Sequence, residues 1–340
     1  MRAFYRSTML CLMVVALAGC FGPKTVREFA DKNKLHYGVS VQAADVLDPA
    51  AIALITENFN ILVPENTMKW GIIRPNRTFW NWSDMDNMVA FAKKNKMIMK
   101  GHTFVWHQQN APFVNALKTR EDAIAVLEEQ ISVVMTRYKG KIAEYDVANE
   151  VLEEDGSMRK TIWLKTIGDD YLDIAFKAAR KADPKAKLIL NDFNNENMGN
   201  PKADAFYELV KSLMQRNVPI DGVGFQMHLM GMYPVQEEDV RANVARFREL
   251  GLTVSFSEID VRVKLPMTPE REEEQIAAYT KLMEIVQTEP NVDSFIMWGY
   301  TDKMSWIPQV FPGFGFAHLY DWDVKPKPVY EAIKKMIVEP

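Results

Sequence analysis

The sequence predicts an α/β fold, a (β/α)8 TIM barrel formed by a single domain. Short apolar runs rich in Val, Ile and Phe alternate with longer stretches of helical period from His36 onward. This alternation occurs eight times, which is typical of a closed parallel barrel. Polar side chains also stand at the C-terminal ends of most predicted strands, which is where the functional residues of such a barrel lie. A chain of 340 residues can bury the large core that such a barrel needs.

Eight segments have the length and composition of buried strands. They are residues 36–41, 60–65, 97–105, 144–149, 187–192, 222–228, 252–258 and 294–299. The alternative fold is an open doubly wound sheet. It is disfavoured because the first strand, in HYGVSVQAADV, is not followed by the G-x-G-x-x-G loop that binds phosphate in that fold.

The clearest helices lie between these strands. They are predicted at residues 121–138, 169–182, 201–216, 236–250 and 269–288. Pro201 and Pro269 stand where the first turn of a helix tolerates proline. The chain contains no repeat array and no low-complexity linker, so we predict one catalytic domain over residues 34–340 without an appended binding module.

The first residues have the pattern of an export signal. Arg2 and Arg6 precede an apolar run from Met9 to Leu17, which is too short to cross a bilayer as a helix. The run ends in Leu-Ala-Gly-Cys, which resembles the lipobox of bacterial lipoproteins and would make Cys20 the lipidated residue. Ordinary cleavage near this point, or a buried N-terminal helix, is the alternative.

These features predict a signal peptide at residues 1–19 and a polar tether at residues 20–33. We expect an exported protein that a lipid anchor at Cys20 holds to a membrane, on the periplasmic or cell-surface side. Both cysteines, Cys11 and Cys20, lie in the N-terminal segment, so the mature chain would have neither a disulfide nor a thiol nucleophile.

Charge and motif content limit the partners of the protein. The net charge of −4 gives no reason to expect a nucleic-acid partner. No cofactor is expected, and the chemistry inferred below requires no metal. We expect the protein to be a monomer.

Polar and aromatic residues mark the C-terminal ends of seven predicted strands. In chain order they are Glu65 and Asn66, His102 and Trp106, Asn149 and Glu150, Asn191 and Asp192, Gln226 and His228, Glu258 and Asp260, and Trp298. Burying so many polar groups costs free energy unless they bind one another or a ligand. Tryptophan rings stack on sugar faces, amides and carboxylates bind sugar hydroxyls, and paired carboxylates cleave glycosides. The pattern therefore indicates a carbohydrate site.

The motifs at these strand ends resemble those of glycoside hydrolase family 10, the barrel xylanases. LTVSFSEIDV at 252–261 resembles the nucleophile strand of the family, and YDVANE at 145–150 resembles its acid/base strand. The resemblance implies a retaining endo-β-1,4-xylanase that acts on xylan or xylo-oligosaccharides. Glu258 would be its nucleophile and Glu150 its acid/base.

Four further motifs resemble the substrate-binding segments of the family. They are VPENTMKW at 63–70, GHTFVWHQQ at 101–109, GVGFQMHL at 222–229 and MWGYTDKMSW at 297–306. The resemblance implies that substrate is bound by Glu65, Asn66, Lys69, His102, Trp106, Asn149, Gln226, His228, Trp298 and Trp306. It also implies that Asp260 positions His228. Tyr145 and Phe193 depart from the family, which usually has Trp and Tyr there, and the second departure concerns the leaving-group side of the site.

The implied mechanism makes a geometric prediction. A charged Glu258 near Glu150 favours the protonated form of Glu150 until Glu258 becomes glycosylated. The two carboxyl groups should lie about 5–5.5 Å apart, whereas a spacing beyond about 6.5 Å would indicate inversion. We interpret the loop from Ile307 to His318, with Phe311, as packing.

Two rival functions stay open at this point. One is a related barrel glycosidase that acts on cellulose or mixed-linkage glucan. The other is a surface glycan-binding lipoprotein that has lost catalysis, which the presence of both Glu150 and Glu258 argues against.

Overall fold

The computed structural model describes residues 23–338 and contains one closed barrel of parallel strands. The strands are β1 (His36–Val41), β2 (Ile61–Pro64), β3 (Ile98–Val105), β4 (Glu144–Asn149), β5 (Lys187–Asp192), β6 (Gly222–Phe225), β7 (Thr253–Lys264) and β8 (Val292–Met297). Each strand pairs in parallel with the next, and β8 also pairs with β1, which closes the sheet. The predicted fold class is confirmed.

Helices pack around the barrel. The longer ones are Val26–Asn33, Pro49–Asn58, Ser83–Lys94, Arg120–Arg137, Tyr171–Ala182, Pro201–Gln215, Glu237–Glu249, Pro269–Thr288 and Pro328–Val338. Short helices lie in the loops at Trp70–Ile73, Pro112–Asn115, Ile162–Ile167 and Ile307–Val310, with 3-10 turns at Asp45–Leu47 and Asp302–Met304. All five predicted helices are present, and their ends differ by no more than two residues from the prediction.

Local sequence signals explain where several helices begin. Thr119, Asn200 and Thr268 each accept a hydrogen bond from a backbone N–H in the first turn. Such a cap typically stabilises a helix by about 1 kcal/mol. Pro201 and Pro269 occupy the first turn, where the missing N–H is not needed.

Strand β7 is longer than its neighbours and extends above the barrel. Beyond the barrel it pairs in parallel with the short strand His228–Met230 and antiparallel with Phe314–Gly315. The first pairing sets His228 opposite Asp260. Because alternate residues of a strand face the same side, Glu258, Asp260 and Arg262 project together towards the mouth of the barrel.

The tether predicted at residues 20–33 is wrong for the part that the structure describes from Val26 onward. Val26–Asn33 is a helix, and the side chain of Thr25 caps it. Val26 and Ala30, four residues apart, are fully buried against the barrel. The segment looks polar because so short a helix presents only one narrow stripe to the core.

Polar contacts fix this helix at the end of the barrel where the strands begin. Asp31 accepts a 2.9 Å hydrogen bond from the amide of Asn60, the residue before β2. Arg27 donates to the carbonyl oxygen of Asn95, shortly before β3, at 2.8 Å. The chain therefore enters the domain opposite the mouth.

The predicted signal peptide at residues 1–19 and the predicted lipidation site Cys20 lie outside the described residues. Within residues 23–338, none of the helices is both long and apolar enough to cross a membrane. The same part of the chain has no group of three His, Cys, Asp or Glu side chains arranged to hold a metal ion.

Candidate active site

A cleft of 640 Å³ lies at the C-terminal ends of the strands. Ten of the predicted site residues line it, namely Lys69, His102, Trp106, Asn149, Glu150, Gln226, His228, Glu258, Trp298 and Trp306. They come from strands β3, β4 and β7 and from the segments that follow β2, β3, β4, β6 and β8. The convergence predicted from the strand ends is therefore present.

Glu150 stands at the end of β4 in a left-handed backbone conformation, with φ of 54°. Its Oε2 accepts a 2.8 Å hydrogen bond from the indole Nε1 of Trp106. Its Oε1 accepts from the amides of Gln226 at 3.3 Å and Asn149 at 3.2 Å. Donors on both oxygens hold this carboxyl group in one orientation at the cleft.

Glu258 lies on β7 and is only 4% exposed. Its Oε1 accepts a 2.6 Å hydrogen bond from Nδ2 of Asn191. Its Oε2 lies 3.5 Å from Nε2 of His228. A carboxylate this buried needs such partners, because an isolated ion would be costly to remove from water.

One chain of amide hydrogen bonds joins the two glutamates. Asn191 donates to Glu258 and also to Oδ1 of Asn149, at 2.8 Å. Gln226 donates to the same oxygen of Asn149, at 3.1 Å, and to Glu150. The orientations of both carboxyl groups are therefore set by the same three buried amides.

His228 is held between two carboxylates. Its Nδ1 lies 2.8 Å from Oδ2 of Asp260, and its Nε2 faces Glu258. Burial alone would lower the pKa of His228, but the two carboxylates outweigh burial and raise its pKa to about 10. His228 is therefore a cation at neutral pH and donates from both ring nitrogens. Trp306 Nε1 donates to the same oxygen of Asp260 at 2.9 Å, so Asp260 contacts both His228 and Trp306.

Lys69 forms the opposite wall of the cleft. Its ammonium group lies 4.5 Å from the ring centre of Trp106 and 5.8 Å from that of Trp298. Burial lowers the pKa of Lys69, although nearby carboxylates favour its charged form. Lys69 donates to Asn66 at 3.2 Å, and Asn66 donates to Glu65 at 3.2 Å. Glu65 and Asn66 are half-buried beside Lys69 and do not line the cleft.

His102 is anchored by a buried ion pair that the sequence analysis missed. Its Nδ1 lies 3.0 Å from one oxygen of Asp146, whose other oxygen lies 2.9 Å from Nζ of Lys100. All three side chains are buried inside the barrel. Burial alone would lower the pKa of Lys100, but Asp146 and other carboxylates outweigh it and raise that pKa. Polar residues alternate with other residues along β3 and β4, and the parallel register sets His102 opposite Asp146. This alternation is the sequence pattern that could have indicated the buried ion pair.

Other residues of the cleft wall were not assigned to the site from the sequence. They include Gln108, Asn194, Arg262, Val310 and Phe311. Phe193, which the sequence associated with the leaving-group side, lines the cleft as well. Phe311 of the 307–318 loop packs with its ring 5.6 Å from that of Trp306, and it also lines the cleft. The guanidinium carbon of Arg262 lies 4.3 Å from the same Phe311 ring. Arg262 follows Glu258 by four residues on one face of β7, and this spacing could have identified it.

The chain is similar to known proteins over nearly its whole length. Endo-1,4-beta-xylanase B of Thermotoga neapolitana is 36% identical over 337 residues, which cover 97% of each chain. Endo-1,4-beta-xylanase of Agaricus bisporus is 33% identical over 305 residues, which cover 88% of this chain and 90% of the relative. Xylanase 10B from Thermotoga petrophila RKU-1, solved in complex with xylobiose, is 36% identical and has a TM-score of 0.89. That comparison covers 93% of this chain and 97% of the other.

The family assignment follows from these matches and agrees with the resemblance seen in the motifs. Residues 25–336 match the sequence model of Glycosyl hydrolase family 10. The match begins at the residue that caps the first helix, so that helix is part of the family domain. The chain is a glycoside hydrolase and belongs to glycosyl hydrolase family 10.

Proposed function

We propose that the chain is a retaining endo-β-1,4-xylanase that hydrolyses internal bonds of xylan and xylo-oligosaccharides, with Glu258 as nucleophile and Glu150 as acid/base. The observation that carries the proposal is the amide chain that holds both glutamates on one cleft. The substrate is supported by the relatives, which are named endo-1,4-beta-xylanases, and by the xylobiose in the Thermotoga petrophila structure.

In the first step a carboxylate oxygen of Glu258 attacks the anomeric carbon, while the bond from that carbon to the leaving oxygen breaks. Glu150 gives its proton to the leaving oxygen, so the shortened sugar chain departs as an alcohol. The products of this step are a glycosyl ester on Glu258 and an ionised Glu150.

In the second step water attacks the same carbon and Glu150 takes a proton from it. The bond to Glu258 breaks, which regenerates its carboxylate and releases the sugar with its original anomeric configuration. We expect the two carboxyl groups to lie about 5–5.5 Å apart, since that spacing leaves no room for a water between nucleophile and sugar.

The surrounding residues have separate tasks in this mechanism. The cationic His228 places its positive charge 3.5 Å from the Glu258 carboxyl group that attacks, and Asp260 keeps His228 charged. Asn149 is expected to bind the 2-hydroxyl of the reacting sugar, a contact that contributes most if it strengthens in the transition state. Trp106 and Trp298 supply ring faces beside that sugar.

Substitution of the two glutamates tests their roles. Glu258→Ala should be nearly inactive, and added azide should restore turnover with inverted product. Glu150→Ala should slow xylan cleavage by about 10²–10⁴-fold. It should spare the first step on aryl xylosides with good leaving groups, because these need no proton.

Kinetics and the anomeric configuration of the product, followed by NMR, are the measurements. Glu153→Gln is the control, since Glu153 lies on the same loop as Glu150 and its side chain is 45% exposed. Inverted product from the unaltered enzyme would contradict the retaining mechanism. An equal loss on aryl xylosides and xylan would remove Glu150 from the acid role.

The competing substrates are cellulose and mixed-linkage glucan. Rates on xylan and on carboxymethyl-cellulose, compared with the same enzyme preparation, distinguish the two activities. Binding of xylan without release of reducing sugar would instead favour a glycan-binding protein without catalysis.

We also propose that the protein is exported as a monomer and held to a membrane by lipid on Cys20. The support is the Leu-Ala-Gly-Cys motif after a short apolar run. Cys20→Ala should move the protein from the membrane fraction to the soluble fraction, whereas Cys11→Ala should not. An unchanged membrane fraction for Cys20→Ala would refute the anchor.

A further inference from the structure

The floor of the barrel, which is the end where the strands begin, carries many lysines on one side. The segments that lead into β3, β4 and β5 are residues 93–97, 138–143 and 181–186, and Asp183 is their one acidic residue. Their seven exposed lysines, here called the lysine face, are Lys93, Lys94, Lys96, Lys139, Lys141, Lys181 and Lys185. Together with Asp183 they carry a formal charge of +6, whereas the whole chain carries −4.

Hydrogen bonds join these segments into one continuous surface. Because β3, β4 and β5 are neighbours in the sheet, the segments that lead into them are neighbours on the floor. Lys139 donates to the carbonyl oxygen of Ala182 at 3.2 Å, and the backbone N–H of Gly140 donates to Asp183 at 3.2 Å. Asp183 itself is only 2% exposed, so the surface that meets solvent is positive. A surface of one charge sign attracts partners of the opposite sign.

No carboxylate neutralises the lysine face. Within residues 23–338, none of its seven side chains belongs to an ion pair. The segments that lead into β6 and β7 differ, because Arg216 pairs with Asp173 at 2.8 Å and Arg248 pairs with Glu289 at 2.9 Å. Positive charge is therefore unbalanced on the side of β3 to β5 and balanced on the side of β6 and β7.

The helix that leads towards Cys20 lies against the lysine face. Arg27, in the first turn of this helix, donates to the carbonyl oxygens of Asn95 at 2.8 Å and Lys96 at 3.4 Å. A membrane that holds Cys20 would therefore lie beside these lysines. Exposed charges act over about 8 Å at physiological ionic strength, so a bilayer in contact with the floor is within reach of their field.

We propose that the lysine face binds the anionic headgroups of a lipid bilayer, an inference that rests on the proposed attachment of the chain to a membrane. Ammonium groups attract the phosphates of such a surface while they stay hydrated, so this contact needs no pocket. Each lysine close to an anionic bilayer strengthens partitioning by roughly fivefold. The lysine face is then a second, salt-sensitive attachment beside the lipid on Cys20.

The test uses the mature chain, residues 20–340, with Cys20→Ala, so that no lipid is attached. Sedimentation measures its partitioning onto vesicles of phosphatidylcholine alone and onto vesicles that also contain phosphatidylglycerol, at an ionic strength of about 0.01 M. Partitioning should be at least about tenfold stronger onto the anionic vesicles. One substitution in each segment, combined as Lys94→Gln, Lys141→Gln and Lys185→Gln, should remove at least about tenfold of it.

The control variant removes the same charge at the other end of the barrel. It combines Lys118→Gln, Lys160→Gln and Lys264→Gln, since these exposed lysines follow β3 and β4 or end β7. It should change partitioning onto the anionic vesicles by less than about threefold, because these lysines are far from the floor. Both triple variants should keep kcat/KM on soluble xylan within about twofold of the parent value, which shows that they are folded.

Each alternative outcome has a definite meaning. Equal partitioning onto neutral and anionic vesicles, partitioning that survives about 1 M salt, or equal effects of the two triple variants would overturn the proposal. Tighter binding to soluble glucuronoxylan than to anionic vesicles, lost in the floor variant, would assign the lysine face to an acidic polysaccharide and also overturn it. Cell membranes washed in high salt test the anchor separately, because retention of Cys20→Ala there counts against the lipid on Cys20 and not against the lysine face.

Discussion

The pair formed by His228 and Asp260 allows a quantitative test by Asp260→Asn. Asp260 is fully buried, and its Oδ2 lies 2.8 Å from Nδ1 of His228. The substitution keeps the shape of the side chain and removes its charge. The remaining carboxylate beside His228 is then Glu258, at 3.5 Å.

The size of the effect follows from the pKa of His228, which rises from 6.5 to about 10. At ~1.36 kcal/mol for each pH unit, this rise corresponds to roughly 5 kcal/mol in favour of the charged imidazole. Asp260 and Glu258 share the effect, and Asp260 makes the shorter contact. We therefore assign about 2–3 kcal/mol of it to Asp260.

The pH dependence of this contribution has a definite sign. A histidine whose pKa is raised by folding binds its proton more tightly in the native state than in the unfolded state. The stability that His228 contributes is therefore fully present below pH 6.5 and is lost as the pH rises through about 10. The penalty of Asp260→Asn should shrink by about 2–3 kcal/mol between pH 6 and pH 10.

Urea unfolding of the enzyme and the variant at several pH values measures this penalty. The imidazole NMR signals should also show the pKa of His228 falling in the variant. Asp323→Asn is the control, because Asp323 is exposed and its ion pair with Lys325 lies on the surface. A penalty of the same size at every pH would refute the argument that Asp260 holds His228 charged.

Three further predictions concern residues that line the active site or lie next to it. Asn191→Ala removes a 2.6 Å hydrogen bond to the Glu258 carboxylate, worth about 1.5–3 kcal/mol, and should lower kcat/KM on xylan by about 10–100-fold. Lys202→Met removes the buried cation 3.0 Å from Asp192, and urea unfolding at pH 8 should show a loss of about 3–5 kcal/mol. Burial raises the pKa of Asp192 to about 6, so this loss should be smaller near pH 5, where a protonated Asp192 needs no cation. Trp306→Ala should raise the ratio of the rate on carboxymethyl-cellulose to the rate on xylan, and an unchanged ratio would remove Trp306 from substrate selection.

Much of the barrel could be predicted because its strands are short, apolar and separated by turns. Helices with a clear apolar stripe were found, such as Tyr171–Ala182. The helix Pro49–Asn58 was missed because PAAIALITEN is apolar at most positions and shows no stripe. Glu150 and Glu258 were found because both lie in distinctive motifs, Glu150 directly after β4 and Glu258 at the end of the predicted strand 252–258, although β7 continues to Lys264.

The buried residues that hold the catalytic side chains in place could not be predicted from the sequence. Their contacts depend on the strand register and join residues that are far apart in the chain. Lys100 and Asp146 interrupt apolar strands, yet their pairing follows only from the alignment of β3 with β4. Lys202 lies in the first turn of a helix and reads as a solvated surface residue, but the fold buries it against Asp192. The role of Asn191 likewise appears only when β5 and β7 are brought to the same cleft.

The docked N-terminal helix has a consequence for how the enzyme would meet an insoluble polymer. The helix begins at Val26 on the floor of the barrel, whereas the cleft opens at the other end. With a lipid on Cys20, only residues 21–25 would separate the bilayer from this floor, and five residues span at most about 18 Å. The barrel axis would then lie roughly perpendicular to the bilayer, with the cleft facing away from the lipid. A polysaccharide strand could reach the glutamates without passing between protein and membrane.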